Sequence, residues 1–240
     1  MGELPVYLLS EDEWSHMLLL YDSAIKEIST KIEILNNEFK ISHQYNPIEH
    51  IKTRVKTAES IVKKLKRYGY ETSIENMVKY INDIAGVRIV CSFTSDIYRL
   101  ADMIGKQKEF TILYIKDYMK HPKESGYRSY HMLITVPIQT TKGICPTKVE
   151  IQIRTIAMDF WASLEHKVRY KKNVPPEEAE QLAQELSECA EVSAALDRRM
   201  QDIRNHLAAV TEAQTNTKKR EPLRLTGPLG LHAIRQKNDF

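Results

Sequence analysis

The spacing of hydrophobic residues predicts long helices at both ends of the chain. Between residues 11 and 39, apolar side chains recur every three or four positions, which is the repeat of an amphipathic helix. A second helix is predicted over 54–68, where residues with the same spacing end at Gly69. Further helices are predicted over 73–82, 96–109, 155–170 and 177–210.

Four segments between these helices have the composition of β-strands. Residues 87–93 form a continuous apolar run typical of a central strand. Three more strands are predicted over 111–117, 132–138 and 148–154, and the turn residues at 140–147 predict a hairpin between the last two. The order of elements predicts an α/β (α+β) fold, with a mixed sheet of four or five strands flanked by helices.

Length and composition fit one globular domain with helical appendages. The chain has 240 residues, of which 42% are hydrophobic and 28% charged, and its net charge is +3. This small positive excess does not establish nucleic-acid binding. We expect a helical extension over 1–45, a central domain over 46–174, a C-terminal helix over 175–212 and a flexible tail over 213–240.

The cysteines and the N-terminus indicate the compartment. Cys91, Cys145 and Cys189 are far apart and form no CxxC pair, so neither a disulfide framework nor a cysteine-rich zinc site is expected. The apolar run near Met1 is short and has an acidic flank, unlike a signal peptide, and no apolar stretch reaches membrane-spanning length. We expect a cytoplasmic protein.

The segment HPKESGYRSYH at 121–131 is the strongest candidate for chemistry. It places an aromatic ring beside a glycine and surrounds both with basic side chains and an imidazole, counting one lysine just before it: Tyr127, Gly126, Lys116, Lys123, Arg128 and His131. A ring can stack on a base, and cations can hold phosphates, as in a nucleotide site. A surface turn with a buried tyrosine would have the same pattern, so both interpretations stay open.

The segment VEIQIRT at 149–155 adds a carboxylate. Strand alternation places Glu150, Gln152 and Arg154 on one face, which would be costly to bury without a function. On an edge strand, however, this face would simply meet water. If Asp83, just before the first apolar strand, converges with Glu150, the pair forms a Mg2+ site of the phosphoryl-transfer type. A helix cap or a surface salt bridge is the more common role for such an aspartate.

The predicted helix over 54–68 carries a polar column. Lys56, Ser60 and Lys64 are four residues apart, so they would share one helix face and could grip a polyphosphate. A solvated, lysine-rich face is the more common explanation of such a pattern. Arg88, on the apolar strand, could stack on a base or hold phosphate.

These motifs together resemble a known family. Four segments resemble, in order and spacing, the synthetase domain of RelA/SpoT-type (p)ppGpp synthetases: RVKTAESIVKKL, DIAGVRIV, KDYMKHPKESGYRSYH and VEIQIRTIAMDFWASLEHK. The short length of the chain resembles the small alarmone synthetases. The resemblance implies a nucleotidyltransferase-like fold and transfer of the β,γ-pyrophosphate of ATP to the 3′-OH of GDP or GTP, as in the bacterial stringent response. It also implies Mg2+ as cofactor, a homotetramer formed through the terminal helices, and no hydrolase activity.

The resemblance further implies a role for each matching residue. On the ATP side, it implies two arginines around the adenine and two lysines and a serine on the phosphates: Arg54, Arg88, Lys56, Lys64 and Ser60. On the GDP or GTP side, it implies a tyrosine stacked on the guanine, three basic residues near acceptor or donor phosphates, and a glutamine: Tyr127, Lys116, Lys123, His131 and Gln152. Asp83 and Glu150 are the implied catalytic metal ligands, and Glu150 is also suited to activating the 3′-OH.

Two positions depart from the small synthetases that are stimulated by their product. Where those use phenylalanine and asparagine, this chain has His50 and Asp159. The loss of an aromatic platform and the gain of a negative charge should both disfavour an anionic guanine nucleotide. We therefore expect synthesis without strong alarmone stimulation.

Two other functions are compatible with these residues. A catalytically silent nucleotide- or RNA-binding module could use the same fold, with the basic run at 218–220 as a candidate RNA contact. Another nucleotidyltransferase, such as an RNA-tailing enzyme, would release pyrophosphate instead of AMP. The presence of every expected polar residue argues against a silent module.

Overall fold

The computed structural model describes residues 11–43, 45–169 and 175–220. In chain order, its elements are α1 (Glu11–His43), β1 (Ile48–Val55), α2 (Ala58–Arg67), α3 (Ile74–Tyr80), β2 (Ala85–Cys91), α4 (Thr94–Gly105), β3 (Thr111–Asp117), β4 (Tyr130–Thr140), β5 (Gly143–Thr155), α5 (Ile156–Arg169) and α6 (Pro176–Arg220). No helix within these ranges is long and apolar enough to cross a membrane.

The five strands form one mixed sheet in the order β1-β2-β5-β4-β3. Strands β2 and β5 are parallel, and the other neighbouring pairs are antiparallel. The predicted mixed sheet flanked by helices is confirmed, as is the β4–β5 hairpin. Residues 143–147, expected in the turn, instead belong to β5 and pair with β4. Because β5 is the central strand, the edge-strand explanation of its polar face is wrong.

The core lies on one face of this sheet, beneath α1. Val149, Ile151 and Ile153 of β5 are fully buried in the same apolar cluster as Ile28 and Ile32 of α1. Burial of each such side chain contributes roughly 1.5–3 kcal/mol, so this face fixes the register of β5. The alternate residues of β5 are consequently held on the opposite face.

Strand β1 was missed, and the helix predicted over 54–68 begins later than expected. The helix starts at Ala58, where the Thr57 side chain caps it by accepting a hydrogen bond from the Ser60 amide. Arg54 therefore lies on β1, and Lys56 lies in the connection. The expected column of Lys56, Ser60 and Lys64 on one helix face is wrong.

The C-terminal helix is longer than expected. Its backbone is helical through Arg220, so the tail expected from residue 213 is helical over its first part. Residues 221–240 lie outside the described residues. The sheet and every site residue below belong to one compact unit that ends at Gln201, and the described residues from Asp202 onward belong to a second unit.

Candidate functional site

The polar face of the sheet is assembled by strand register. Lys52 pairs with Arg88, Arg88 with Gln152, Gln152 with His131, and His131 with Lys116. Each of the five strands therefore contributes one polar residue to a row. Residues directly opposite one another on paired strands share a face, so the register alone brings these distant sequence positions together.

A cavity of about 410 Å³ lies on this face, over β1, β2 and β5. Six of the predicted site residues line it: Arg54, Lys56, Asp83, Arg88, Glu150 and Gln152. Gly86 lies between Arg54 and Glu150 in the register, and its missing side chain leaves the floor of the cavity open. The cavity thus joins residues predicted for the donor with both predicted metal ligands.

Asp83 is held by two lysines. Lys56 Nζ donates to Oδ2 and Lys64 Nζ donates to Oδ1, each at 2.7 Å. Burial raises the pKa of Asp83, but the hydrogen bonds and positive charges of the two lysines outweigh it, and the pKa ends below its ordinary value. Asp83 is thus an ionised carboxylate, and the lysines converge as expected although they do not share a helix.

Glu150 lies in the same cavity with partners from two strands. Gln152 Nε2 donates to Glu150 Oε2 at 2.9 Å, and His131 Nδ1 lies 3.7 Å from Oε1, an ion-pair distance. Burial raises the pKa of Glu150, His131 and Gln152 lower it, and Asp83 raises it, leaving it below the ordinary value. Two ionised carboxylates in one cavity are what Mg2+ needs when substrate phosphates complete its shell. Within the described ranges, no group of three or more His, Cys, Asp or Glu could hold a metal by itself.

Tyr127 lies beside this cavity at the centre of an aromatic and basic cluster. Arg154 Nη2 donates to Tyr127 Oη at 2.7 Å, and His131 Nε2 lies 2.9 Å from the same oxygen. Lys123 Nζ lies 4.8 Å from the centroid of the half-buried ring, within cation–π range. The phenol is thereby oriented by polar partners, and the residue as a whole is half-buried.

Helix α6 supports the loop that carries Tyr127. Gly126 has φ +82°, and a Cβ built there would collide with the Cβ of Ala190 on α6. Arg128 Nη2 pairs with Glu191 Oε1 at 2.9 Å. Glycine is therefore required for both the backbone conformation and the close approach of the helix.

Two predicted residues neither line the cavity nor contact Tyr127. The Ser60 hydroxyl accepts a hydrogen bond from Thr57 Oγ1 at 2.9 Å near the start of α2 and does not line the cavity. Lys116 belongs to the polar row, but its exposed side chain lies over the Tyr114 ring, with Nζ 5.1 Å from the centroid.

The sequence reading missed the surroundings of Asp159. This carboxylate is buried, and Oδ1 accepts from Arg154 Nη1 at 3.1 Å and lies 3.2 Å from Arg88 Nη1. Its charge is neutralised inside the site, so the expected repulsion of a nucleotide by Asp159 loses its basis. Lys52, which extends the cavity lining, was missed because β1 was missed. The sequence signal that could have revealed β1 was the alternation of Lys52 and Arg54, two positions apart, which would place both on one face of a strand.

Comparison with known proteins identifies the family. A family model described as a region found in RelA / SpoT proteins matches residues 53–175. The chain belongs to this family. It is 47% identical over 198 residues to the GTP pyrophosphokinase YwaC of Bacillus subtilis (strain 168), covering 82% of this chain and 92% of that relative.

Solved structures agree with this membership of the RelA/SpoT family. The chain resembles the crystal structure of small alarmone synthetase 1 from Bacillus subtilis bound to its product pppGpp, with a TM-score of 0.74 and 35% identity over 82% of this chain and 100% of that one. It also resembles the AMPCPP-bound structure of small alarmone synthetase 1, with a TM-score of 0.68 and 33% identity over 83% of this chain and 100% of that one. The RelA/SpoT match includes every predicted site residue from Arg54 to Gln152.

Proposed function

We propose that this RelA/SpoT family protein is a GTP pyrophosphokinase. It transfers the β,γ-pyrophosphate of ATP to the 3′-OH of GDP or GTP and releases AMP. The observation that carries this proposal is the placement of Glu150 between a basic cavity lined by Arg54, Lys56 and Arg88 and an aromatic cluster around Tyr127. Two nucleotides can therefore flank one carboxylate. The name of YwaC and the product bound by small alarmone synthetase 1 support the same reaction.

The donor ATP is proposed to occupy the cavity. Arg54 and Arg88 both line it and would hold the adenine between their guanidinium planes. Lys56 and Lys64 would move from Asp83 to the phosphates when ATP enters, because a polyphosphate offers more negative charge than one carboxylate. The AMPCPP complex of small alarmone synthetase 1 supports a donor site of this class. Ser60 stays a weaker candidate for phosphate contact.

The acceptor is proposed to bind on the other side of Glu150. The guanine would stack on Tyr127, displacing the Lys123 ammonium from the ring, and that lysine would then contact the acceptor phosphates. His131 and Gln152, both within reach of Glu150, would orient the ribose. Lys116 would add positive charge at the outer end of the row.

The chemistry follows from this placement. Mg2+ would be held by Asp83 and Glu150 and would supply neutralisation of the charge on the transferred pyrophosphoryl group. Glu150, ionised at neutral pH, would accept the proton of the 3′-OH, help of roughly 10²–10⁴-fold in rate. Stacking of both bases would align the 3′-OH for in-line attack on the β-phosphate.

The reaction products discriminate among the candidate functions. The protein is incubated with ATP, Mg2+ and GDP or GTP, and the nucleotides are separated by anion-exchange chromatography. We expect AMP and a 3′-pyrophosphorylated guanosine nucleotide in equal amounts. Nucleotide binding without any product would indicate a silent binding module, and released pyrophosphate would indicate an RNA-tailing type of transferase.

Assembly through the terminal helices is a separate proposal. Val192, Leu196 and Met200 of α6 are exposed apolar side chains at four-residue spacing, which supports contact with further copies of the chain. We expect a homotetramer by light scattering coupled to size-exclusion chromatography. RNA binding stays a prediction that a mobility-shift titration with single-stranded RNA would test.

A further inference from the structure

One carboxylate joins the two sides of the proposed active site. Asp159 Oδ1 accepts from Arg154 Nη1 at 3.1 Å and lies 3.2 Å from Arg88 Nη1, while Lys52 Nζ lies 3.9 Å from Oδ2. Arg88 lines the cavity proposed for the donor. Asp159 therefore contacts Arg88, a residue that lines the proposed donor site.

Arg154 extends this contact to the acceptor side. Its Nη2 donates both to Tyr127 Oη at 2.7 Å and to Gln152 Oε1 at 2.9 Å. Gln152 in turn donates to Glu150 Oε2 at 2.9 Å. A continuous series of charged and neutral hydrogen bonds thus runs from Asp159 through one guanidinium to the acceptor's tyrosine and to the proposed base.

The burial of Asp159 makes this arrangement rigid. The residue is 7% exposed and lies in the first turn of α5, directly after β5 ends. The junction between β5 and α5 is fixed by two hydrogen bonds: Thr155 Oγ1 donates to Asp197 Oδ2 at 2.6 Å and accepts from the Met158 amide at 3.2 Å. A buried carboxylate with fixed partners has little freedom to move, so it can hold two guanidinium groups in place.

Charge balance explains why the two arginines need this carboxylate. Burial and the neighbouring Arg154 both lower the pKa of Arg88, whereas Asp159 raises it in part. Two guanidinium groups this close repel each other in a partly buried site. Without the negative charge between them, they would separate, and Arg154 would shift relative to Tyr127.

We propose that Asp159 is a positioning residue that holds Arg88 for the donor and, through Arg154, Tyr127 for the acceptor. This inference rests on the proposed function for the identity of the two nucleotides. Asp159 acts through the two arginines and not on the reacting atoms of either nucleotide. Because both arginines depend on it, its removal should weaken binding on both sides of the site. A role limited to fold stability would lower the melting temperature without this pattern.

The test is equilibrium binding of AMPCPP and, separately, of GDP to the full chain, measured by isothermal titration calorimetry. Asp159→Asn keeps the shape but removes the charge, and we expect both dissociation constants to rise roughly tenfold, the loss typical of one charged hydrogen bond. In a Tyr127→Phe background, the link from Arg154 to the phenol is already absent. There the same substitution should still weaken AMPCPP but should weaken GDP much less.

Two further variants make the result decisive. Asp96→Asn is the matched control, because Asp96 is also a buried carboxylate, bonded to Tyr45 Oη at 2.7 Å, and it does not line the cavity. It should lower the melting temperature and leave both affinities unchanged. If Asp159→Asn fails to fold, Arg154→Lys tests the same link, since lysine can still pair with Asp159 but cannot also reach Tyr127. It should weaken GDP and spare AMPCPP.

Several outcomes would overturn the inference. Asp159→Asn with both affinities within twofold of wild type is one, and an effect on GDP that is equally large in the Tyr127→Phe background is another. For Arg154→Lys, an unchanged GDP affinity would do the same. Because binding is measured without turnover, failure of the proposed reaction would appear separately, as wild-type protein that forms no AMP.

Discussion

Replacing Lys64 by methionine should strengthen the binding of a divalent cation to the nucleotide-free chain. Both oxygens of Asp83 are taken by ammonium groups, Lys56 on Oδ2 and Lys64 on Oδ1, each at 2.7 Å. A cation that binds Asp83 must displace at least one of them. Lys64→Met keeps most of the length of the side chain and removes the ammonium that competes for Asp83.

The magnitude follows from the exposure of the pair. A charge-assisted hydrogen bond contributes about 1.5–3 kcal/mol when it is well shielded. The Lys64 and Asp83 side chains are 22% and 27% exposed, so solvent screens part of this energy. We expect about 1 kcal/mol to be released, which corresponds to roughly fivefold tighter binding.

Mn2+ is a suitable probe because its free concentration can be followed by electron paramagnetic resonance. Titrations of wild type, Lys64→Met and Lys63→Met give the comparison, and Lys63 is the control because it is an exposed lysine on the same helix. With AMPCPP and Mg2+ present, the sign should reverse, and Lys64→Met should bind the nucleotide more weakly than Lys63→Met does. If Lys64→Met binds Mn2+ no more tightly than Lys63→Met, Asp83 is not the metal ligand.

Three further predictions concern pH, the acceptor loop and regulation. The pKa values of Asp83 and Glu150 are both lowered, so both groups are ionised above the ordinary carboxylate range and become protonated only as pH falls through these lower values. Mn2+ affinity should therefore stay level from about pH 8 to about pH 5. A midpoint for the loss of Mn2+ affinity above about pH 6 would contradict this. In Gly126→Ala, the new Cβ would collide with Ala190 and the backbone would be strained at a positive φ, at a cost of roughly 1–3 kcal/mol. GDP affinity, measured by calorimetry, should therefore fall tenfold or more, and AMPCPP affinity should be unchanged. Equal losses for both nucleotides would indicate general unfolding instead. Added pppGpp should leave the initial rate unchanged, because His50 stands where the product-stimulated synthetases have phenylalanine. A lag that added pppGpp abolishes would refute this.

The central part of the site could be predicted because it depends on simple periodicity. The alternation of Glu150, Gln152 and Arg154 with three apolar residues gave the polar face of β5, and the structure keeps that face. Asp83 was placed correctly before β2 because a turn and an apolar run mark that strand's start. The local pattern of apolar and polar residues was therefore enough to predict where Asp83 and Glu150 lie relative to the strands.

The remaining features depend on tertiary contacts that periodicity does not encode. Strand β1 is an edge strand with mostly exposed residues, so its charged side chains resembled the start of the helix that follows it. Asp159 lies on a helix whose sequence shows no partner for it, and its arginines come from β2 and β5. Only the folded register brings those three charges together.

The most direct test of the proposed reaction is the amount of AMP formed per 3′-pyrophosphorylated product by wild type and by Glu150→Gln. Wild type with ATP, Mg2+ and GDP should give one AMP per product. Glu150→Gln, with a melting temperature within a few degrees of wild type, should lose roughly 10²–10⁴-fold in rate. Pyrophosphate release in place of AMP, or wild-type turnover by Glu150→Gln, would contradict the assignment of Glu150 as the residue that activates the acceptor.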